Sequence, residues 1–148
     1  MKSKIKIFNS AIGYDLAADN YDKKEKYLNS FENGRFLVML GDVKDKTILD
    51  VGAGSGRISG ELSKLGAKIT ALDVSPKMLE KLKAKKFKNI ETVVGDAEDL
   101  PFADGVFDIV VAAFLVVHLR NPKYFFAESY RVLKPGGILL VSNINQKE

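Results

Sequence analysis

The chain has 148 residues, 46% of them hydrophobic and 28% charged, with a formal net charge of +4. That is the length of one soluble domain able to bury a core. It contains no cysteine, which excludes disulfides, thiolate metal sites and a cysteine nucleophile. No apolar run approaches the ~18 residues of a membrane helix. The basic start MKSKIKIFNS lacks the apolar core and small-residue cleavage site of a signal peptide, so a cytoplasmic protein is expected. The positive charge is mainly lysine, densest from Lys77 to Lys88 around Met78, Leu79 and Leu82. That pattern is the wet side of an amphipathic helix rather than a nucleic-acid surface, which would mix in arginines and aromatics.

In chain order, the first 46 residues read as two helices, YDLAADNYDKKEKYLNSF and NGRFLVMLGDV, separated near Asn33-Gly34. From Thr47 the pattern alternates. The apolar runs TILDVG, KITALDV, ETVVGD, FDIVVAAFLVV and GILLVSN suit strands buried on both faces of a parallel sheet. Between the first two, Ile58, Leu62 and Leu65 recur at helical spacing and Gly66 stops the helix. Ser75-Pro76 reads as an N-cap with proline at the first helical position, opening a helix to about Lys86. Asn121-Pro122 repeats the device, and Phe125, Ser129, Val132 and Leu133 share a face until Pro135-Gly136-Gly137. The third crossover, AEDLPFADGV, is too short and broken for a long helix. Strand and helix in alternation predict a wound α/β sheet with right-handed crossovers.

In such a sheet, ligands bind beyond the carboxyl ends of the strands. Gly52, Ala53, Gly54 and Gly56 occupy the turn after the first strand, where glycine permits positive φ and close approach of a ligand to main-chain N–H groups. A merely tight strand-to-helix turn would also explain them. The spacing is Gly-x-Gly-x-Gly. Arg57 stands where a dinucleotide fingerprint wants its third small residue, which weakens a pyrophosphate reading. Asp73 closes the second strand, 21 residues after Gly52, where a carboxylate can accept both hydroxyls of a ribose. Asp96 follows the third strand and can accept from an exocyclic amine, with Ala97 leaving room for a flat ring; a plain turn aspartate is the competing reading. Together these strand tips describe a pocket for a ribose and an adenine, with no phosphate demanded.

LDVGAGSGR, ALDVSPKML, GDAEDLPF, FDIVVAAFLVVHL and RVLKPGG are similar, in order and spacing, to the motifs of class I S-adenosylmethionine-dependent methyltransferases. Within that family the chain resembles the small-molecule branch that includes quinone-biosynthesis C-methyltransferases. The upstream YDLAADNYD resembles the lead-in those enzymes carry. The resemblance implies a doubly wound, mostly parallel Rossmann-like sheet in strand order 3-2-1-4-5, lacking the usual C-terminal 7-6 hairpin. Residues 1–46 would form an N-terminal helical cap and 47–148 the S-adenosylmethionine-binding core. It implies methyl transfer to a small-molecule acceptor by in-line displacement.

Carried over by position, Gly52, Ala53, Gly54 and Gly56 would line the methionine part of the cofactor. Asp73 would bind the ribose, with Val74 and Met78 packing on the adenine and Asp96 and Ala97 at its edge. Phe114 would sit by the transferred methyl, and Tyr21 could close over the cofactor. His118, the chain's single histidine, is the one candidate base. With no visible carboxylate partner it reads better as pocket wall, and the catalytic residues are left unassigned; no metal is expected. Family members usually continue past the fifth strand into a covering hairpin. Without it GILLVSN would be an apolar edge, so a homodimer through that strand is expected. A non-catalytic cofactor-binding remnant and a dinucleotide-dependent oxidoreductase are the alternatives.

Overall fold

In the computed structural model, residues 9–21, 23 and 34–143 are described. Helix α1 (Ser10–Tyr21) is followed by the short α2 (Arg35–Val38). From there strand and helix alternate: β1 (Thr47–Val51), α3 (Arg57–Lys64), β2 (Lys68–Asp73), α4 (Pro76–Ala84), β3 (Ile90–Val94), β4 (Phe107–Ala113), α5 (Pro122–Val132) and β5 (Leu133–Ser142). The five strands are all parallel, in the order β3-β2-β1-β4-β5. This is the predicted wound sheet, open at both edges among the described residues.

Strand alternation divides the core in two. Ile48, Ile69, Ala71, Ile109 and Val111 point to one face, where Ile58 and Leu62 of α3, Leu79 and Leu82 of α4, and Phe36 and Leu40 cover them. Leu49, Val51, Leu72, Val110 and Ala112 point to the other, against Leu100, Phe107, Phe125 and Val132. The in-register pairs Ile48↔Ile69 and Ile48↔Ile109 keep like residues on one face across three strands. A strand apolar on both faces is what a sheet covered on both sides requires, and this is why β1 could be read from TILDV.

The helix starts follow from local chemistry. Ser75 accepts the Met78 N–H at 3.2 Å and Asn121 accepts the Lys123 N–H at 3.2 Å, each just before a proline that begins its helix. The α3 start is different: Gly56 caps it in a left-handed conformation, φ 91°.

Several boundaries depart from the sequence reading. The fourth strand ends at Ala113 rather than running through Val117. Phe114 turns the chain at φ 56°, and Val116–His118 form a single 3₁₀ turn. The apolar run continued because Leu115 and Val116 pack on the second core cluster as a loop; hydrophobicity alone does not distinguish the two. The helix α5 yields to β5 at Leu133, whose backbone is already extended at ψ 138°, two residues before Pro135. The helix after Pro76 ends at Ala84 rather than Lys86. Helix α1 begins before Tyr14, and the rest of the predicted first helix lies outside the described residues apart from Lys23. The predicted second helix is shorter, although Leu40 and Val43 beyond it are buried.

The connection from β3 to β4 has no helix, as expected, and is clamped from α5. The Arg131 guanidinium donates to the carbonyls of Leu100 and Phe102 at 2.9 and 2.7 Å, while Glu128 accepts the Leu100 N–H at 2.8 Å. Among the described residues no helix is long and apolar enough to cross a membrane.

Candidate functional site

The carboxyl ends of β1 to β4 and the inner side of α1 enclose a cavity of about 390 Å³, within the range of small-molecule sites. The glycine turn forms its floor. Gly52 and Gly54 have φ of 73° and 56°, backbone that a side chain strongly disfavours. A Cβ on Gly52 would also stand 2.9 Å from Leu115 Cδ1, and one on Gly54 3.1 Å from Met78 Cε. These positions therefore keep both the turn's shape and the cavity beside it.

Asp73, at the tip of β2, is 8% exposed. Its Oδ2 accepts the Gly54 N–H at 2.8 Å and its Oδ1 the Ser75 N–H at 2.9 Å. Burial raises its pKa, while these backbone donors oppose the rise. The two donors orient the carboxylate and link the glycine turn to the start of α4.

At the tip of β3, Asp96 Oδ1 accepts the Glu98 N–H at 2.9 Å, and Oδ2 the Arg120 guanidinium at 2.8 Å. Asp96 thus serves both as a turn residue and as a cavity wall, with Ala97 buried beside it.

The roof is aromatic. Tyr14 on α1 stands edge-on to Tyr21 at 5.9 Å and to His118 at 5.4 Å between ring centres. Burial pushes both phenols above their ordinary range, the Tyr14 phenol far above it. Both remain protonated hydrogen-bond donors at neutral pH. Burial lowers the His118 pKa, favouring its neutral ring.

A smaller cleft of about 30 Å³ lies behind the glycine turn, lined by Asp50, Ala53, Arg57, Phe114 and Tyr21 among others. The Arg57 guanidinium sits over the Phe114 ring, 5.4 Å from its centre, a cation–π contact. Asp50, 2% exposed, accepts the Ser59 hydroxyl at 2.6 Å, and burial raises its pKa to about 6.

Of the residues singled out in the sequence, Gly52, Gly54, Asp73, Val74, Met78, Asp96, Ala97, Phe114, Tyr21 and His118 all line the large cavity. Ala53 lines the smaller cleft instead. Gly56 lines neither; its missing Cβ makes room for Leu82, whose Cδ1 would otherwise be 2.2 Å away. The sequence reading missed Tyr14, Leu115, Leu119 and Arg120 on the cavity wall and Asp50 behind it. Tyr14 had a signal in the repeated Tyr-Asp of YDLAADNYD; the others had none until the strands were placed.

A glycine turn, a buried carboxylate and a small-residue wall at successive strand tips of a parallel sheet define a Rossmann-like α/β protein. Residues 49–141 match the methyltransferase domain family, and the chain belongs to that family. Among curated proteins it is similar to the demethylmenaquinone methyltransferase of Renibacterium salmoninarum, 37% identical over 136 residues that cover 89% of this chain and 57% of that protein. The corresponding enzyme of Tropheryma whipplei is 34% identical, over 86% of this chain and 56% of its own. The chain thus spans about half the length of the curated relatives it matches. Among solved structures, DhpI in complex with SAM and HEP superposes with a TM-score of 0.76 at 25% identity, covering 97% of this chain and 70% of that one.

Proposed function

We propose that this domain binds S-adenosylmethionine in the large cavity and directs its methyl group onto a small-molecule acceptor. The observation that carries the reading is the convergence of the glycine turn, Asp73, Asp96 with Ala97, and Phe114 on one cavity, in a chain of the methyltransferase family.

The residues fit such a donor. Each Asp73 oxygen accepts at least one backbone N–H, and lone pairs remain for ribose hydroxyls. Val74 and Met78 supply an apolar surface for the adenine face, with Ala97 and Asp96 at its edge. Gly52 and Gly54 let the amino-acid tail approach the backbone, and Phe114 and Tyr21 close the methionine end. When bound, the donor supplies a methyl carbon on a positively charged sulfur, ready for displacement by a nucleophile. The chain's own contribution is alignment of the reactants and exclusion of water. The neutral ring of His118, edge-on to Tyr14, serves as acceptor wall. With Leu115 and Leu119 it suits an apolar, ring-bearing molecule. Relatives that methylate demethylmenaquinone agree with that chemistry.

Calorimetric titration tests the donor. S-adenosylmethionine and S-adenosylhomocysteine are expected to bind at one site per chain, and a nicotinamide dinucleotide not to bind. No heat with either sulfur compound would overturn the reading.

The fifth strand lies at a sheet edge with Ile138 46% exposed. An apolar edge invites pairing, which supports a homodimer joined through β5. Light scattering is expected to return twice the chain mass; a soluble, monodisperse monomer would contradict it.

A further inference from the structure

We propose that Asp15 is a positioning residue: its carboxylate accepts the Ser75 hydroxyl hydrogen and so clasps α1 over the cavity. This rests on reading the cavity as the donor site. Helix α1 supplies one wall of that cavity, through Ser10, Ala11, Tyr14 and Tyr21, yet it is weakly anchored by burial. Of its twelve residues only Ala18 is buried, while Ile12 and Leu16 are 48% and 63% exposed. A helix this short has marginal stability of its own and depends on tertiary contacts to stay in place. At its N-terminal end the hydrogen bond from the Ser10 hydroxyl to the His118 carbonyl is long, 3.4 Å. The hydrogen bond to Ser75 is the charge-assisted one.

Ser75 is wholly buried and fully used. Its oxygen accepts the Met78 N–H that starts α4, its hydroxyl hydrogen goes to Asp15, and its backbone N–H goes to Asp73. One residue therefore joins α1 to the turn that orients the ribose-binding carboxylate. The cost is electrostatic, since Asp15 raises the pKa of Asp73 as a nearby like charge does. Ribose hydroxyls donated to Asp73 would offset that repulsion. Donor binding and docking of α1 then reinforce one another, and the coupling is reciprocal.

The test compares Asp15→Ala with Asp15→Asn, whose amide oxygen can still accept from Ser75. Hydrogen exchange without ligand is expected to show residues 10–21 opening about tenfold more readily in Asp15→Ala, the loss expected for a hydrogen bond to a charged group. In Asp15→Asn the opening is expected to lie between wild type and Asp15→Ala, since a neutral acceptor keeps part of the bond, with the sheet unchanged in both variants. S-adenosylhomocysteine should bind about tenfold more weakly to Asp15→Ala and with a smaller loss to Asp15→Asn. Wild-type exchange of α1 in Asp15→Ala overturns the proposal, and so does loss in Asp15→Asn equal to that in Asp15→Ala. Loss of protection throughout the sheet also overturns it, because the contact would then merely fold the domain. Opening of α1 in Asp15→Ala, in a wild-type background that binds no S-adenosylhomocysteine, would support the clasp and overturn the donor reading alone.

Discussion

Asp73→Ala is expected to weaken S-adenosylhomocysteine binding at least a hundredfold by calorimetry. Hydrogen bonds to a charged acceptor contribute about 1.5–3 kcal/mol each, and two ribose hydroxyls converge on this carboxylate in the proposed complex. Their loss amounts to about 3–6 kcal/mol, where each 1.4 kcal/mol is tenfold in affinity. The substitution also strands the Gly54 and Ser75 N–H groups, so part of the loss comes from a loosened glycine turn. Asp73→Asn separates the two effects, because it keeps the volume and one acceptor oxygen but presents an amide to the second donor. Its loss is expected to lie between wild type and alanine. Binding by Asp73→Ala within a few fold of wild type would remove this residue from the ribose site.

The second large effect is on stability, at Asp50. A carboxylate with its pKa raised to about 6 by burial favours the neutral form in the folded chain. Its stabilising contribution is therefore full below the unfolded value of 3.8 and is lost as pH rises through about 6. One pKa unit corresponds to 1.36 kcal/mol, so the loss across this window is roughly 3 kcal/mol. Asp50→Asn removes the titration while its side-chain oxygen still accepts from Ser59. Urea denaturation at pH 4 and at pH 7 is expected to show the variant gaining roughly 2 kcal/mol on the wild type between the two, because a small part of the loss already falls below pH 4. An equal stability difference at both pH values would refute it.

The glycine turn and the strand-tip carboxylates were legible because they stand at strand ends, and strand ends are marked locally. TILDV and KITALD are apolar enough to be read as buried strands, so Gly52 and Asp73 fall at their tips by counting. The roof was legible only in part: Tyr21 and His118 were singled out, but Tyr14, which stands between them, was not. Tyr14 and His118 are 104 positions apart and meet only because α1 lies across the open end of the sheet. Nothing in the apolar run TILDVG marked the partner of Asp50, which α3 supplies as Ser59. Arg120 carried no sign of its ion pair with Asp96, since a charged residue after an apolar run is ordinary on any surface. Phe114 read as strand and reached the cavity only through the family resemblance; the structure shows the strand pairing ending at Ala113 with Ser142 and Phe114 turning the chain there.

Periodicity, caps and glycine spacing are properties of neighbouring residues. The amino-acid sequence by itself therefore determined the alternating elements, the wound α/β class and the carboxylates at the strand tips. Strand order was reached from the sequence only by family resemblance. The tertiary structure decided which residues face one another across the cavity: Asp15 and Ser75, Tyr14 and His118, Arg57 and Phe114. Those pairings depend on how the sheet is wound and where α1 crosses it, and no local pattern records a contact between residues that distant in the chain.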